Sequence, residues 1–199
     1  MSKSIEVPRL VIHPSEDWSL AMDNLTRHSL DYNPWPAYKP GPATHFSIAH
    51  SDPAILLKFY VDEASPRITY HHPNDPVYKD SCVEFFISFD NGRNYYNMEW
   101  NAAGACLMAY GPDRNNRNFL PESIIQNIVA NPGWPLSLQI PIEVFIHDAP
   151  VSLSGTSATA NFYKCGDDCP EPHYRAWNNI RTTAPDYHQP RFFGELLFL

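Results

Sequence analysis

Residues 80–101 read DSCVEFFISFDNGRNYYNMEWN, and this stretch decides the fold. Val83, Phe85, Ile87 and Phe89 alternate with Cys82, Glu84, Phe86 and Ser88, giving a β-strand with one apolar and one mixed side. Asp90-Asn91-Gly92-Arg93 follows at once, and Asn-Gly accepts the positive φ angles of a type I′ turn, so a hairpin is expected. On the returning strand Tyr96, Met98 and Trp100 take the core side, and Tyr95, Asn97, Glu99 and Asn101 the opposite one. Such a hairpin must bury its apolar face against a second layer.

The rest of the chain offers that layer. In ILLKFYVDE (55–63) Leu57, Phe59 and Val61 face one way while Lys58, Tyr60 and Asp62 face the other, and in WPLSLQIP (134–141) Trp134, Leu136, Leu138 and Ile140 point inward. Further strands are expected near 104–110, 157–164 and 192–199. Helical character is confined to SIIQNIV (123–129), the short IEVF turn (142–145) and SEDWSLAMDNL (15–25), where Ser15 is the expected N-cap. The fold class is therefore all-β: an antiparallel β-sandwich of jelly-roll or immunoglobulin-like type with short helical turns. Residues 1–45 show no sustained period and contain the proline-rich loop YNPWPAYKPGP (32–42). They are expected to form an extension packed on a domain spanning 46–199.

Composition agrees with this reading. Hydrophobic residues are 43% of the 199 and aromatics 14%, enough for a core without staples. Charged residues are only 18% and there are 20 prolines, which favours short strands joined by turns over exposed helices. A net charge of -8 argues against nucleic-acid and anionic-membrane partners, and no run of apolar residues is long enough to cross a bilayer. The opening MSKSIEVPRLVIHPSEDW lacks the apolar centre of a secretory leader, so the expected location is cytoplasmic unless a leader was removed. Cys82 and Cys106 lie in strand-like runs. Cys165 and Cys169 flank Gly166-Asp167-Asp168 and are compatible with free thiols, with a small disulfide, or, together with His173, with a metal. His71-His72 reads as a solvated loop pair, and Asp167, Asp168 and Glu171 as a loose carboxylate group.

Several segments together resemble the family 9 carbohydrate-binding modules. They are LLKFYVDE (56–63), KDSCVEFFISFD (79–90), NYYNMEWNAAG (94–104), the Trp134-to-Pro141 strand, SGTSATANFYKC (154–165) ahead of Trp177 in RAWNNI, and the closing FFGELLF (192–198). The resemblance covers roughly residues 50–199. It implies a β-sandwich that holds one or two sugar units between two aromatic rings, oriented by a carboxylate and amides, with no cofactor beyond a structural calcium. Polysaccharides of xylan or cellulose type are the implied ligands, and a glycoside hydrolase is the implied partner. By position, Glu84 matches the sugar-binding glutamate after Asp-Ser, Trp177 the second aromatic wall and Asn161 an asparagine near the penultimate strand. Tyr78 is the aromatic nearest the place of the first wall. The family's binding arginine has no counterpart on the strand after the signature, where Asn97 and Glu99 stand.

These residue types suit a sugar. A pyranose has an apolar C–H face that an aromatic plane covers for about 0.5–1.5 kcal/mol beyond area burial. Its hydroxyls, once desolvated, need partners, and bonds to a carboxylate contribute roughly 1.5–3 kcal/mol each. The implied affinities run from about millimolar to micromolar. Two alternatives stand beside this reading. Glu84 and Glu99 face the same side of the expected hairpin, and carboxyls about 5–5.5 Å apart are those of a retaining glycoside hydrolase. A structural or haem-binding sandwich is the other, with Met98 and the histidines as candidate axial ligands.

Overall fold

The computed structural model describes residues 2–13, 15–148 and 152–199. In chain order its strands are β1 (Ser4–Val7), β2 (His28–Ser29), β3 (Thr44–Ser51), β4 (Ala54–Val61), β5 (Cys82–Ser88), β6 (Tyr95–Asn101) and β7 (Cys106–Gly111). They continue as β8 (Asn118–Phe119), β9 (Val129–Asn131), β10 (Leu136–Pro141), β11 (Ser157–Cys165), β12 (Tyr174–Ala176) and β13 (Gly194–Phe198). The larger sheet has the order β1-β13-β11-β5-β6-β7-β8, with β12 also paired to β11. The smaller has the order β2-β3-β4-β10-β9. Among the named strand pairs only β1 with β13 is parallel. No helix among the described residues is long and apolar enough to cross a membrane.

The interlayer core is the one the alternation predicts. Val83, Phe85, Ile87, Tyr96, Met98 and Trp100 from the larger sheet meet Leu57, Phe59, Leu136, Leu138 and Ile140 from the smaller. Phe162 lies between Phe46 and Phe85, stacked at 3.7 and 4.8 Å. Met98 is wholly enclosed there, so it is a core residue with no open side for a haem.

The hairpin keeps the register of a two-residue turn, pairing Ile87 with Tyr96 and Glu84 with Glu99. Asn91 and Gly92 have the positive φ such a turn needs, 61° and 80°. The ladder itself stops at Ile87–Tyr96, because side chains take over the bonding beyond it. Ser88 Oγ accepts the Gly92 N–H at 2.8 Å, and Asp90 Oδ1 accepts the Asn94 N–H at 2.9 Å.

Three expectations are corrected. The first 45 residues contribute strands to both sheets: β1 pairs with β13, β2 with β3, and β3 begins at Thr44, before the expected boundary. The first helix, α1 (Trp18–Ala21), is capped by Asp17, whose side chain accepts the Ser19 N–H at 2.9 Å. Ser15 lies too far before the first turn for that role. The second helix, α2 (Glu122–Ile125), is shorter than SIIQNIV because the chain has already entered β9 at Val129.

Strands β5 and β6 are buried on both faces. A second apolar cluster, including Trp35, Val77, Phe86, Tyr163, Ile180 and Tyr187, covers the outer face of the larger sheet with connecting segments. Glu84 and Glu99 are therefore only 3% and 2% exposed, which rules out a simple solvated face.

Candidate functional site

That cover is incomplete. It leaves a cavity of about 470 Å³ over the outer face of the larger sheet. Glu84 of β5, Glu99 of β6 and Cys165 of β11 form its sheet side, while Trp35, Tyr38, Tyr78, Tyr174 and Tyr187 provide aromatic walls. Arg117 and Arg114 reach it from the β7–β8 connection, which Asp113 organises by accepting the N–H groups of Asn115 and Asn116 at 2.8 and 3.0 Å.

The aromatic walls are braced through the loops that carry them. Tyr32 exchanges two backbone hydrogen bonds with Ala176, which ties the 32–42 loop to β12. The Trp35 indole N–H is shared between the Thr182 carbonyl and hydroxyl oxygens at 3.2 and 3.1 Å. Tyr38 meets Tyr174 edge to face at 5.0 Å, and Tyr187 stacks on Tyr163 at 4.1 Å. Such pairs fix ring planes without closing the outer face of the last ring in the row. Tyr38, at 37% exposure, is that last ring.

The carboxyl pair sets the electrostatics. Burial, and then the Glu99 charge across the ladder, push the Glu84 carboxyl well above the usual carboxylate range. Burial raises Glu99 as well, but the Arg117 guanidinium, 3.7 Å from Glu99 Oε1, pulls against it, as does the Asn97 amide that donates to the same oxygen at 3.0 Å. The arrangement holds a proton on Glu84, and burial leaves Glu99 raised to about 7. Glu84 Oε1 accepts from the Cys165 thiol at 3.0 Å. Arg117 also donates to His188 Nε2 at 2.9 Å, which leaves the ring proton on Nδ1, facing the Tyr95 hydroxyl at 2.8 Å. Burial and the two arginines push His188 down to about 2, so the imidazole is neutral.

The structure thus brings Tyr78, Glu84 and Glu99 to one cavity and sets Asn97 behind Glu99. Two other expected residues lie elsewhere. Trp177 is 2% exposed and meets Phe46 and Phe162 edge-on at 6.1 and 5.6 Å, within the interlayer core. The alternation that turns Ala176 toward the outer cluster turns Trp177 inward. Asn161 is wholly buried and committed: its Oδ1 accepts the N–H groups of Phe162 and Asn178 at 2.9 Å each, and its Nδ2 donates to the Asn178 carbonyl at 3.1 Å.

An arginine does reach the cavity, Arg117, from the connection between β7 and β8. Trp35 and Tyr38 come from the proline-rich loop that sequence reading left as an extension. Two aromatics among four prolines were the available signal, since an exposed loop has little use for such rings.

The metal groupings expected around His173, Asp168 and the His71–His72 pair do not converge among the described residues. His173 uses both ring nitrogens, Nε2 with Lys164 Nζ and Nδ1 with the Glu171 carbonyl, each at 2.8 Å, so it is not free to join Cys165 and Cys169 on a metal. All four cysteines are free and buried. Asp168 lies 3.9 Å from Lys79, Glu171 is ion-paired with Lys39, and burial raises the Asp167 carboxyl. His71 and His72 are exposed on a loop whose backbone N–H groups donate to Asp75.

A sandwich bearing a concave site with aromatic walls and paired charges on one sheet is a ligand-binding module. The model of carbohydrate-binding family 9 matches residues 15–198, nearly the whole chain, and the chain belongs to that family. Among solved structures, one of a candidate carbohydrate-binding protein from Bacteroides uniformis is 31% identical, with a TM-score of 0.91 and full coverage of both chains. A family 9 module from Caldicellulosiruptor kristjanssonii in complex with cellotriose is 14% identical, with a TM-score of 0.63, covering 98% of this chain and 93% of that one. A family 9 module from the same organism in complex with glucose is 15% identical, with a TM-score of 0.59, covering 99% and 96%. At such identities these two show the shared fold alone. No curated protein matches the sequence.

Proposed function

We propose that the cavity binds a sugar, stacked on the tyrosine walls and oriented by Glu99, Arg117 and the protonated Glu84. The observation that carries this reading is the convergence of ring faces and charged donors and acceptors in one cavity, in a member of a carbohydrate-binding family. A ring at Tyr38 or Tyr78 covers the C–H face of a pyranose. Arg117 donates to its hydroxyls, Glu99 accepts from them, and the Glu84 proton is available to either. Because Arg117 and Glu99 already face each other, the polar groups are set before the ligand arrives, which lowers the ordering cost.

Calorimetric titration with glucose, cellotriose and other mono- and oligosaccharides tests this, comparing wild type with Tyr78→Ala and Arg117→Ala. Saturable binding weakened about tenfold or more in both folded variants, a loss of about 1.4 kcal/mol, supports the site. Binding unaffected by either variant would place the sugar elsewhere and refute it.

One observation keeps a second reading in view: Glu84 and Glu99 are directly opposite in the ladder, with Cβ atoms about 5 Å apart, near the roughly 5–5.5 Å carboxyl separation of retaining hydrolases. Turnover of an aryl glycoside, lost in both Glu84→Gln and Glu99→Gln, would replace binding by catalysis.

A further inference from the structure

The sugar reading gives no role to the two thiols beside Glu84, and their placement is specific. Cys82 and Glu84 are two residues apart on β5 and share its outer face. Cys165 on β11 is the direct ladder partner of Cys82. Opposite side chains in an antiparallel pair have Cβ atoms about 4.5–5.5 Å apart, so register alone brings the two sulfurs together and sets the carboxylate next to them. One ligand atom from each of the three residues lies within 4.8 Å of the other two. All three are buried, with Cys82 wholly excluded from solvent. Glu84 and Cys165 nevertheless line the cavity, so the cluster is reached from the pocket side.

We propose that Cys82, Cys165 and Glu84 form a binding site for a thiophilic divalent cation of the zinc type on the floor of the cavity. Thiolate ligands select such metals over calcium or magnesium, and one carboxylate oxygen supplies a third ligand, leaving a fourth position open. With metal–sulfur bonds of about 2.3 Å and metal–oxygen bonds of about 2.0–2.2 Å, tetrahedral ligand atoms lie roughly 3.5–3.8 Å apart, which small side-chain rotations reach from the observed cluster. On binding, each thiol and the Glu84 carboxyl release their protons to solvent, and the cation takes their place as the positive partner. The resulting excess negative charge sits near Arg117 and next to Lys164, which is fully buried with its Nζ 2.8 Å from the Cys165 carbonyl oxygen. A cross-strand disulfide is the competing use of the pair, and it would not involve the adjacent carboxylate. The proposal shares Glu84 with the sugar reading, which uses that carboxyl protonated, but its readout is cobalt spectra recorded without sugar, so the two can fail separately.

The test is titration of the reduced full-length protein with Co²⁺, followed by Zn²⁺ competition. One equivalent of Co²⁺ should give thiolate-to-cobalt charge-transfer bands and tetrahedral d–d bands that Zn²⁺ abolishes. The bands should vanish in Cys82→Ser and Cys165→Ser and persist in Cys106→Ser and Cys169→Ser. Glu84→Gln keeps both thiols and the side-chain shape, and should alter the d–d bands and weaken binding even if the serine variants fold poorly. Absence of bands in wild type overturns the site, as does their survival in all three ligand variants. Loss of two mass units under mild oxidant in a protein that takes up no cobalt when reduced also overturns it, and assigns the pair to redox chemistry instead.

Discussion

Glu84 and Glu99 face each other directly across the β5–β6 ladder, and neither is more than 3% exposed. Two carboxyls so placed cannot both ionise cheaply, and burial holds Glu84 far above its ordinary range. The folded state therefore keeps a proton that the unfolded chain loses above about pH 4.3. More protons bound when folded means that this pair's contribution to stability falls as pH rises from that value toward the folded one. Glu84→Gln preserves an acceptor for Cys165 and removes the titration. It should be more stable than wild type at about pH 8, with the gap closing toward about pH 5. Parallel stability curves for the two proteins in denaturant titrations would contradict the shared-proton assignment.

His188 has the opposite sign. Its folded value is pushed down to about 2, whereas an unfolded histidine titrates near 6.5. Below about pH 6.5 the unfolded chain binds a proton that the folded one does not, so stability falls with acidification at up to about 1.4 kcal/mol per pH unit. Glutamine can still accept from Arg117 and donate to Tyr95. His188→Gln should therefore flatten the acid limb by one proton's worth, measured as the difference from wild type. An unchanged slope would mean that the ring is already charged when folded.

Trp177 and Tyr38 should exchange the roles that sequence position suggests. Trp177 fills the core against Phe46 and Phe162, so Trp177→Ala should cost about 3–5 kcal/mol in stability. Any folded fraction should keep its ligand affinity. Tyr38 stands half-open at the cavity, so Tyr38→Ala should leave stability within about 1 kcal/mol while weakening sugar binding several-fold. Thermal melts paired with titration separate the two outcomes, and a stable Trp177→Ala that no longer binds would restore tryptophan to the site.

What the sequence revealed and what it hid follow from the range of each signal. Period-two alternation in residues 82–101 and 136–140 is local, and it located the strands, the core face and the Glu84–Glu99 register. The pocket is non-local. Its walls come from the segments around Trp35, Tyr78, Tyr174 and Tyr187, and nothing in their spacing shows that they meet over one sheet. Family position misled where alternation would not have. Trp177 looked like an exposed aromatic by family position, yet it lies just past β12 on the inward side. Asn161 fits a binding asparagine in type, but its three hydrogen bonds to Phe162 and Asn178 appear only once β11 and the chain after β12 are side by side.

The pocket wall at Tyr38 depends on a residue that does not line it. Gly41 has φ of 69°, and a Cβ there would sit 2.4–2.8 Å from three atoms of His173. The His173 ring cannot retreat freely, because Lys164 and the Glu171 carbonyl hold its two nitrogens. Arg175 also reaches the Gly41 carbonyl, with Nη2 at 3.1 Å. Gly41→Ala must therefore shift the loop away from β12 as well as bear a left-handed alanine, a strain of roughly 1–3 kcal/mol before any clash. Because Tyr38 is three residues away on the same loop, its ring should lose its place against Tyr174, so sugar affinity falls together with stability. Gly133→Ala is the control: its φ of 104° imposes backbone strain, but nothing lies within 4 Å of the added carbon. That variant should lose stability and keep affinity. If Gly41→Ala also binds as tightly as wild type, the 32–42 loop is not held by its contact with His173, and the rigid aromatic wall has another source.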